Sequence, residues 1–156
     1  EGYLWDKGDP QNAFNKAIMH SSQSAMSLSD LFCVERHKKH FLELAKNKLD
    51  IIFANEQEIK SLINANSFED IVTFSKQTKK NVIITRGEKG ALSIQNDELI
   101  EFEAKKNLNI KDLTGAGDLF AAGYLHGIIN NLSMKECLVK GTELSSKIIQ
   151  KIGARI

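Results

Sequence analysis

The chain has 156 residues, 42% of them hydrophobic and 26% charged, enough to bury one core and within the usual range of a single globular domain. Its 21 Lys and Arg stand against 20 Asp and Glu, and a formal charge of +1 excludes a global electrostatic pull toward nucleic acid or a membrane surface. No apolar stretch approaches the ~20 residues that span a bilayer, and Cys33 and Cys137 lack the close partner of a zinc ribbon or redox dithiol, so two buried thiols are expected. The chain opens on Glu1, with no Met and no leader, and the expectation is a soluble, cytoplasmic fragment of a longer protein.

Residues 2 to 5 read as a strand, and Asp9-Pro10 starts a helical stretch through Ala13, Phe14, Ala17 and Ile18. Ala25 to Leu28 reads as a short strand. Over Val34 to Lys46, Val34, Phe41, Leu44 and Ala45 fall on one helical face, with Arg36, His37, Lys38, Lys39 and His40 largely elsewhere. That basic run is too short and too poor in aromatics for nucleic acid, and a solvated face accounts for His37 and His40 better than a metal does. Asp50 to Ala54 follows as a buried strand, and helices are expected over 56 to 64 and 68 to 79. Asn81 to Thr85 is a β-branched strand.

This alternation implies an α/β fold, Rossmann-like, with a mostly parallel sheet flanked by helices. Gly90 to Gln95 and Glu98 to Ala104 alternate apolar with polar around Asn96-Asp97, which adds a β-hairpin near residues 90 to 104. Two long helices close the chain. One starts near Ala116, and the other is announced by the capping box Ser133-Met-Lys-Glu136.

The chemistry concentrates in Asp112-Leu-Thr-Gly-Ala-Gly-Asp118, just ahead of an apolar helix rich in small residues. The first amides of a helix lack intrahelical acceptors and carry partial positive charge, so a glycine-lined start can hold a phosphate oxygen. Asp118 sits in that first turn, where the dipole favours a carboxylate. Phosphoryl transfer needs both parts, a proton acceptor for the attacking hydroxyl and donors for the moving phosphoryl group. An ordinary capped helix explains the same residues equally well on physics alone. No G-x-x-x-x-G-K-[S/T] occurs, and Phe120 occupies the third glycine position of a dinucleotide motif, so the two commonest nucleotide signatures are absent. Gly123 and Gly127 would let this helix pack closely on a neighbour.

These residues resemble the C-terminal signature D-T-x-G-A-G-D of the PfkB, or ribokinase, family of carbohydrate and nucleoside kinases, with Leu113 in place of the usual Thr. The resemblance implies Asp118 as general base and Gly115, Ala116 and Gly117 as the anion hole. Asn55-Glu-Gln-Glu58 is similar to the family's N-x-x-E, which implies Asn55 and Glu58 as organisers of magnesium; as N-cap and third helical residue they also form an ordinary capping box. Thr85-Arg-Gly-Glu-Lys-Gly90 resembles the T-x-G-x-x-G segment, implying Thr85, Gly87 and Gly90 beside the nucleotide, where a plain turn serves equally well. Thr114, Gly141 and Ser145 would border the nucleotide too, the last two on the final helix with Lys140, Thr142 and Ser146. Arg86 and Lys89 read as solvated turn residues.

By that resemblance, residues 1 to 156 are the C-terminal ATP-binding and catalytic part of a ribokinase-like kinase whose N-terminal substrate and lid half is absent. The expected cofactors are ATP and Mg2+, and the expected partner is a small-molecule nucleoside, adenosine first, or a sugar of the ribose or fructose type. A homodimer stays open, as does a non-catalytic nucleotide-binding regulator of the same fold. The segment around Leu28-Ser-Asp-Leu-Phe-Cys-Val-Glu-Arg-His37 looks closest to adenosine kinase-like and sugar kinase members. Such a chain alone should bind nucleotide better than it catalyses.

Overall fold

In a computed structural model, which describes residues 1–155, the elements run α1 (Pro10–Met19), β1 (Ala25–Ser27), α2 (Leu31–Asn47), β2 (Ile51–Asn55), α3 (Glu56–Ile63), α4 (Phe68–Thr78), β3 (Asn81–Thr85), β4 (Ala91–Gln95), β5 (Glu98–Phe102), α5 (Ala116–Ile129) and α6 (Met134–Ile148). The strands hydrogen-bond in the order β1-β2-β3-β4-β5. β1 and β2 are parallel, with Ala25 opposite Ile51 and Ser27 opposite Phe53. The Asn81 amide donates to the Asp50 carbonyl at 2.9 Å, so β3 starts beside the start of β2 and runs the same way. Only residues 86–90 join β3 to β4, too few for a parallel crossover, so β4 turns back. Asn96 and Asp97, at φ 48° and 69°, then form the two-residue type I′ turn that matches the twist of an antiparallel pair. The result is the expected α/β architecture with a mixed sheet.

The chain falls into two compact units, residues 1–84 with 94–98, and 85–93 with the chain from residue 99. In the first, β2 and β3 are buried along nearly their whole length, and Met26, Leu28, Val34, Phe41, Leu44, Ile59, Leu62 and Ile71 complete the core. Each such side chain contributes roughly 1.5–3 kcal/mol by leaving water. α2 starts three residues before the expected Val34 because the Asp30 carboxylate accepts from the Cys33 amide at 2.6 Å and caps the helix there. Asn64 and Lys79 adopt the left-handed conformation that ends α3 and α4.

The expected strand at residues 2 to 5 is a 3₁₀ turn, Gly2–Asp6. Tyr3 and Leu4 are exposed, and only Trp5, half-buried, packs inward, through ring contacts rather than strand pairing. Trp5 meets Phe14 and Phe41 edge-on at 5.9 and 5.5 Å, and the Gly2 amide donates to Ser29 Oγ at 2.7 Å.

In the second unit α5 and α6 pack face to face, as Gly123 and Gly127 foretold. A Cβ on Gly123 would stand 2.6 Å from the Lys140 carbonyl oxygen, and one on Gly127 2.7 Å from Cys137 Sγ. Phe120 and the fully buried Tyr124 stack at 6.5 Å, and the Tyr124 hydroxyl meets Ser93 Oγ at 2.8 Å. Cys33 and Cys137 are both free and buried. Among the described residues no helix is long and apolar enough to cross a membrane.

Candidate active site

The start of α5 is built by Asp112. Its Oδ1 accepts from the Thr114 amide at 2.9 Å and the Thr114 hydroxyl at 2.7 Å, and its Oδ2 accepts from the Gly153 amide at 2.9 Å. These donors, the Thr114 hydroxyl first, hold the Asp112 carboxyl below the usual carboxylate range. The sequence reading gave Asp112 no role, although Asp-x-Thr is a recognisable side-chain turn. Because Thr114 spends its hydroxyl proton on Asp112, Oγ1 has only lone pairs to offer a ligand.

Gly115 is the N-cap of α5, at φ 79°, where it offers no side chain to the helix amides. A side chain there would be strained, and its Cβ would lie 3.0 Å from that of Ala154. The Ala116 amide donates to the Leu113 carbonyl at 3.1 Å. Among the described residues the amides of Gly115, Gly117 and Asp118 have no acceptor, so the open donor set differs from the expected 115-116-117 by one position. A Cβ on Gly117 would meet nothing within 4 Å. Asp118 is exposed in the first turn, and no hydrogen bond or ion pair among the described residues engages its carboxylate.

The turn after β3 is shaped differently. Thr85 is half-buried, and Gly87 sits exposed at φ 57°. Gly90, at φ 89°, is buried where any Cβ would overlap the Phe102 carbonyl, so its glycine is required for the chain crossing itself. Arg86 is not a merely solvated residue: its side chain is 14% exposed and pairs with Glu101 at 3.4 Å. On α6, Lys140 is exposed and Ser145 half-buried, while Gly141, Thr142 and Ser146 are buried. A Cβ at Gly141 would lie 2.8 Å from the Phe120 carbonyl oxygen, which makes this glycine part of the packing with α5.

In the first unit, Asn55 and Glu58 form the capping box at the start of α3. Asn55 Oδ1 accepts from the Glu58 amide at 2.8 Å, while the Asn55 amide and Nδ2 donate to the two Glu58 oxygens at 2.9 and 2.6 Å. Glu58 is only 5% exposed, and burial raises its pKa, with the Asp30 charge acting in the same direction. Asp30 itself accepts from the Tyr3 hydroxyl at 2.8 Å, which pushes Tyr3 up to about 12. A magnesium ion in direct contact wants several free oxygens. Both Glu58 oxygens are already engaged, and among the described residues no group of three His, Cys, Asp or Glu could hold a metal. Asn55 and Glu58 as placed are thus not set up to ligate magnesium directly. His37 pairs with Asp6 at 2.8 Å and His40 lies 3.3 Å from Gln11 Nε2, so neither is poised as a metal ligand.

Residues 5–156 match the pfkB family carbohydrate kinase profile. The chain belongs to the pfkB carbohydrate kinase family. A probable sugar kinase of Rhizobium etli superposes with a TM-score of 0.94 at 36% identity, over 99% of this chain and 48% of that one. The adenosine kinase of Sinorhizobium meliloti gives 0.94 at 35% identity, over 99% and 49%. A cytidine kinase of Thermococcus kodakarensis is 33% identical over 119 residues, 74% of this chain and 42% of that protein. The chain thus spans about half, or less, of the length of these pfkB relatives. Their likeness covers both units and carries the ribokinase-like fold with it.

Proposed function

We propose that this chain is the C-terminal, phosphate-handling part of an ATP-dependent kinase that phosphorylates a hydroxyl of a nucleoside, adenosine first, or of a sugar. The observation that carries the reading is the first turn of α5: an unengaged Asp118 carboxylate beside the unaccepted amides of Gly115, Gly117 and Asp118. The acceptor hydroxyl gives its proton to Asp118. As negative charge shifts onto the transferring group, the amides and the positive end of the helix dipole stabilise it without having to reorganise. Magnesium, arriving with the nucleotide, would neutralise phosphate charge; the family resemblance separately suggests Asn55 and Glu58 as organisers of a magnesium water shell.

The relatives named above act on both nucleoside and sugar classes, so the substrate is decided by assay. In the full-length protein, ADP formation across adenosine, cytidine, ribose and fructose should single out one acceptor. Asp118→Asn should lower kcat on it by about 10²–10⁴-fold while KM for ATP stays within about threefold. Turnover preserved in that variant would remove Asp118 as the base, and ATP binding without product from any acceptor would favour a non-catalytic nucleotide binder.

A further inference from the structure

Three elements of the second unit meet at one hydroxyl. Ser93, on β4, is fully buried; its Oγ lies 2.8 Å from the hydroxyl of Tyr124 on α5 and donates to Sδ of Met134, the first residue of α6, at 3.4 Å. With its proton on the sulfur, Ser93 Oγ keeps lone pairs for the Tyr124 proton. Tyr124 is itself fully buried and stands on the same helix as Asp118, roughly 9 Å further along its axis. The side of α5 that meets α6 is lined by glycine. Gly123 and Gly127 bring the two backbones close, and Gly141 lies against Phe120, but none of the three offers a side chain that would bar α5 from turning or sliding. Apolar contact of this kind tolerates a small rotation, whereas a hydrogen bond weakens steeply with misalignment. A side-chain tip about 5–6 Å from the helix axis moves by about 1 Å when the helix turns by roughly 10°.

We propose that Tyr124 and Ser93 are positioning residues for the phosphoryl transfer assigned above, on which reading of Asp118 their role rests. Their buried hydrogen bond fixes the rotation and register of α5, and with them the aim of Asp118 and of the open amides in its first turn. A displacement of about 1 Å among reacting groups costs on the order of a hundredfold in rate. Loss of one hydroxyl from an otherwise intact helix interface should cost part of that. Neither side chain touches nucleotide or acceptor in this role, so the effect is expressed in kcat rather than in KM.

The test uses the full-length protein. Tyr124→Phe, which removes the hydroxyl and keeps the ring, should lower kcat by about tenfold, with KM for ATP and for the acceptor within about threefold. Ser93→Ala should do the same, and the double variant should fall no more than about twofold below the worse single one, because both remove one hydrogen bond. Ser67→Ala, which takes the capping side chain from α4 in the first unit, is the control: it should lower the thermal midpoint while leaving kcat within about twofold. Hydrogen exchange at the Leu119 amide, which donates to the Gly115 carbonyl at 2.9 Å, should quicken by about tenfold in Tyr124→Phe relative to the amides of α2, a readout independent of turnover. Unchanged kcat, a loss confined to KM, single losses that multiply in the double variant, or an equal kcat loss in Ser67→Ala would each overturn the positioning role. If Tyr124→Phe fails to fold, Ser93→Ala carries the same measurements. If the wild type turns over no acceptor, the kinase reading fails, and exchange at Leu119 that does not quicken would separately overturn the hold on α5.

Discussion

Two helix starts in this chain solve the same problem in opposite ways. At α3, Asn55 and Glu58 satisfy each other, leaving a buried carboxylate with both oxygens engaged. At α5, glycine stands at the N-cap, the side-chain work is displaced to Asp112 outside the helix, and among the described residues the Gly115, Gly117 and Asp118 amides and the Asp118 carboxylate stay open. A helix start that caps itself spends its polar groups on stability. One capped from outside keeps them for a ligand.

The contrast can be broken most sharply at Gly117, where an added side chain meets nothing. Gly117→Asp places a carboxylate where the helix dipole welcomes it but a phosphate does not. Turnover in the full-length protein should fall by about a hundredfold, with the thermal midpoint unchanged or higher; a lower midpoint would mean that the open start carries stability after all.

Asn55→Ala, at the closed start, should show the reverse, lowering unfolding free energy in urea by about 1–3 kcal/mol as the buried Glu58 loses partners. The pH dependence sharpens it. Burial raises the Glu58 pKa in the folded state, so this group's contribution is most favourable below its ordinary unfolded value and is lost as pH rises through the raised one. The variant's deficit should be larger at neutral pH than in mild acid, and a deficit that grows on acidification would contradict the assignment.

The smallest effect is expected at the exposed box that starts α6. Ser133→Ala should lower the thermal midpoint by roughly 2–4 °C. Here the Ser133 hydroxyl and amide hold the Glu136 carboxyl below its ordinary value. The box therefore contributes above the unfolded value and is lost as pH falls through the lowered one, so wild type and variant should converge in acid when followed by circular dichroism.

Much of this was legible in the chain itself. The strand cores at 51–54 and 81–85, the Asn96-Asp97 hairpin, the helix starts at Asp9-Pro10, Asn55 and Ser133, and the close α5–α6 approach at Gly123 and Gly127 all follow from local rules: β-branched runs, turn residues and caps act within a few positions of one another. The place of Asp118 in the first turn of α5 was legible for the same reason, since it depends on its own helix start. The opening Gly-Tyr-Leu-Trp misled because Tyr3 and Leu4 stay exposed and only Trp5 packs, against Phe14 and Phe41, partners that no local pattern reveals.

By itself, then, the sequence determined the order of elements and the presence of an open, glycine-lined helix start with a carboxylate in it. Only the tertiary structure decided which polar groups remain available there. It engaged the Ala116 amide with Leu113 and the Thr114 hydroxyl with Asp112, drew Gly141 into helix packing, paired Arg86 with Glu101, and made Asp112 the anchor through Gly153. Hydrogen-bond capacity is limited and directional, and whether a donor is already committed depends on neighbours that folding alone brings within reach.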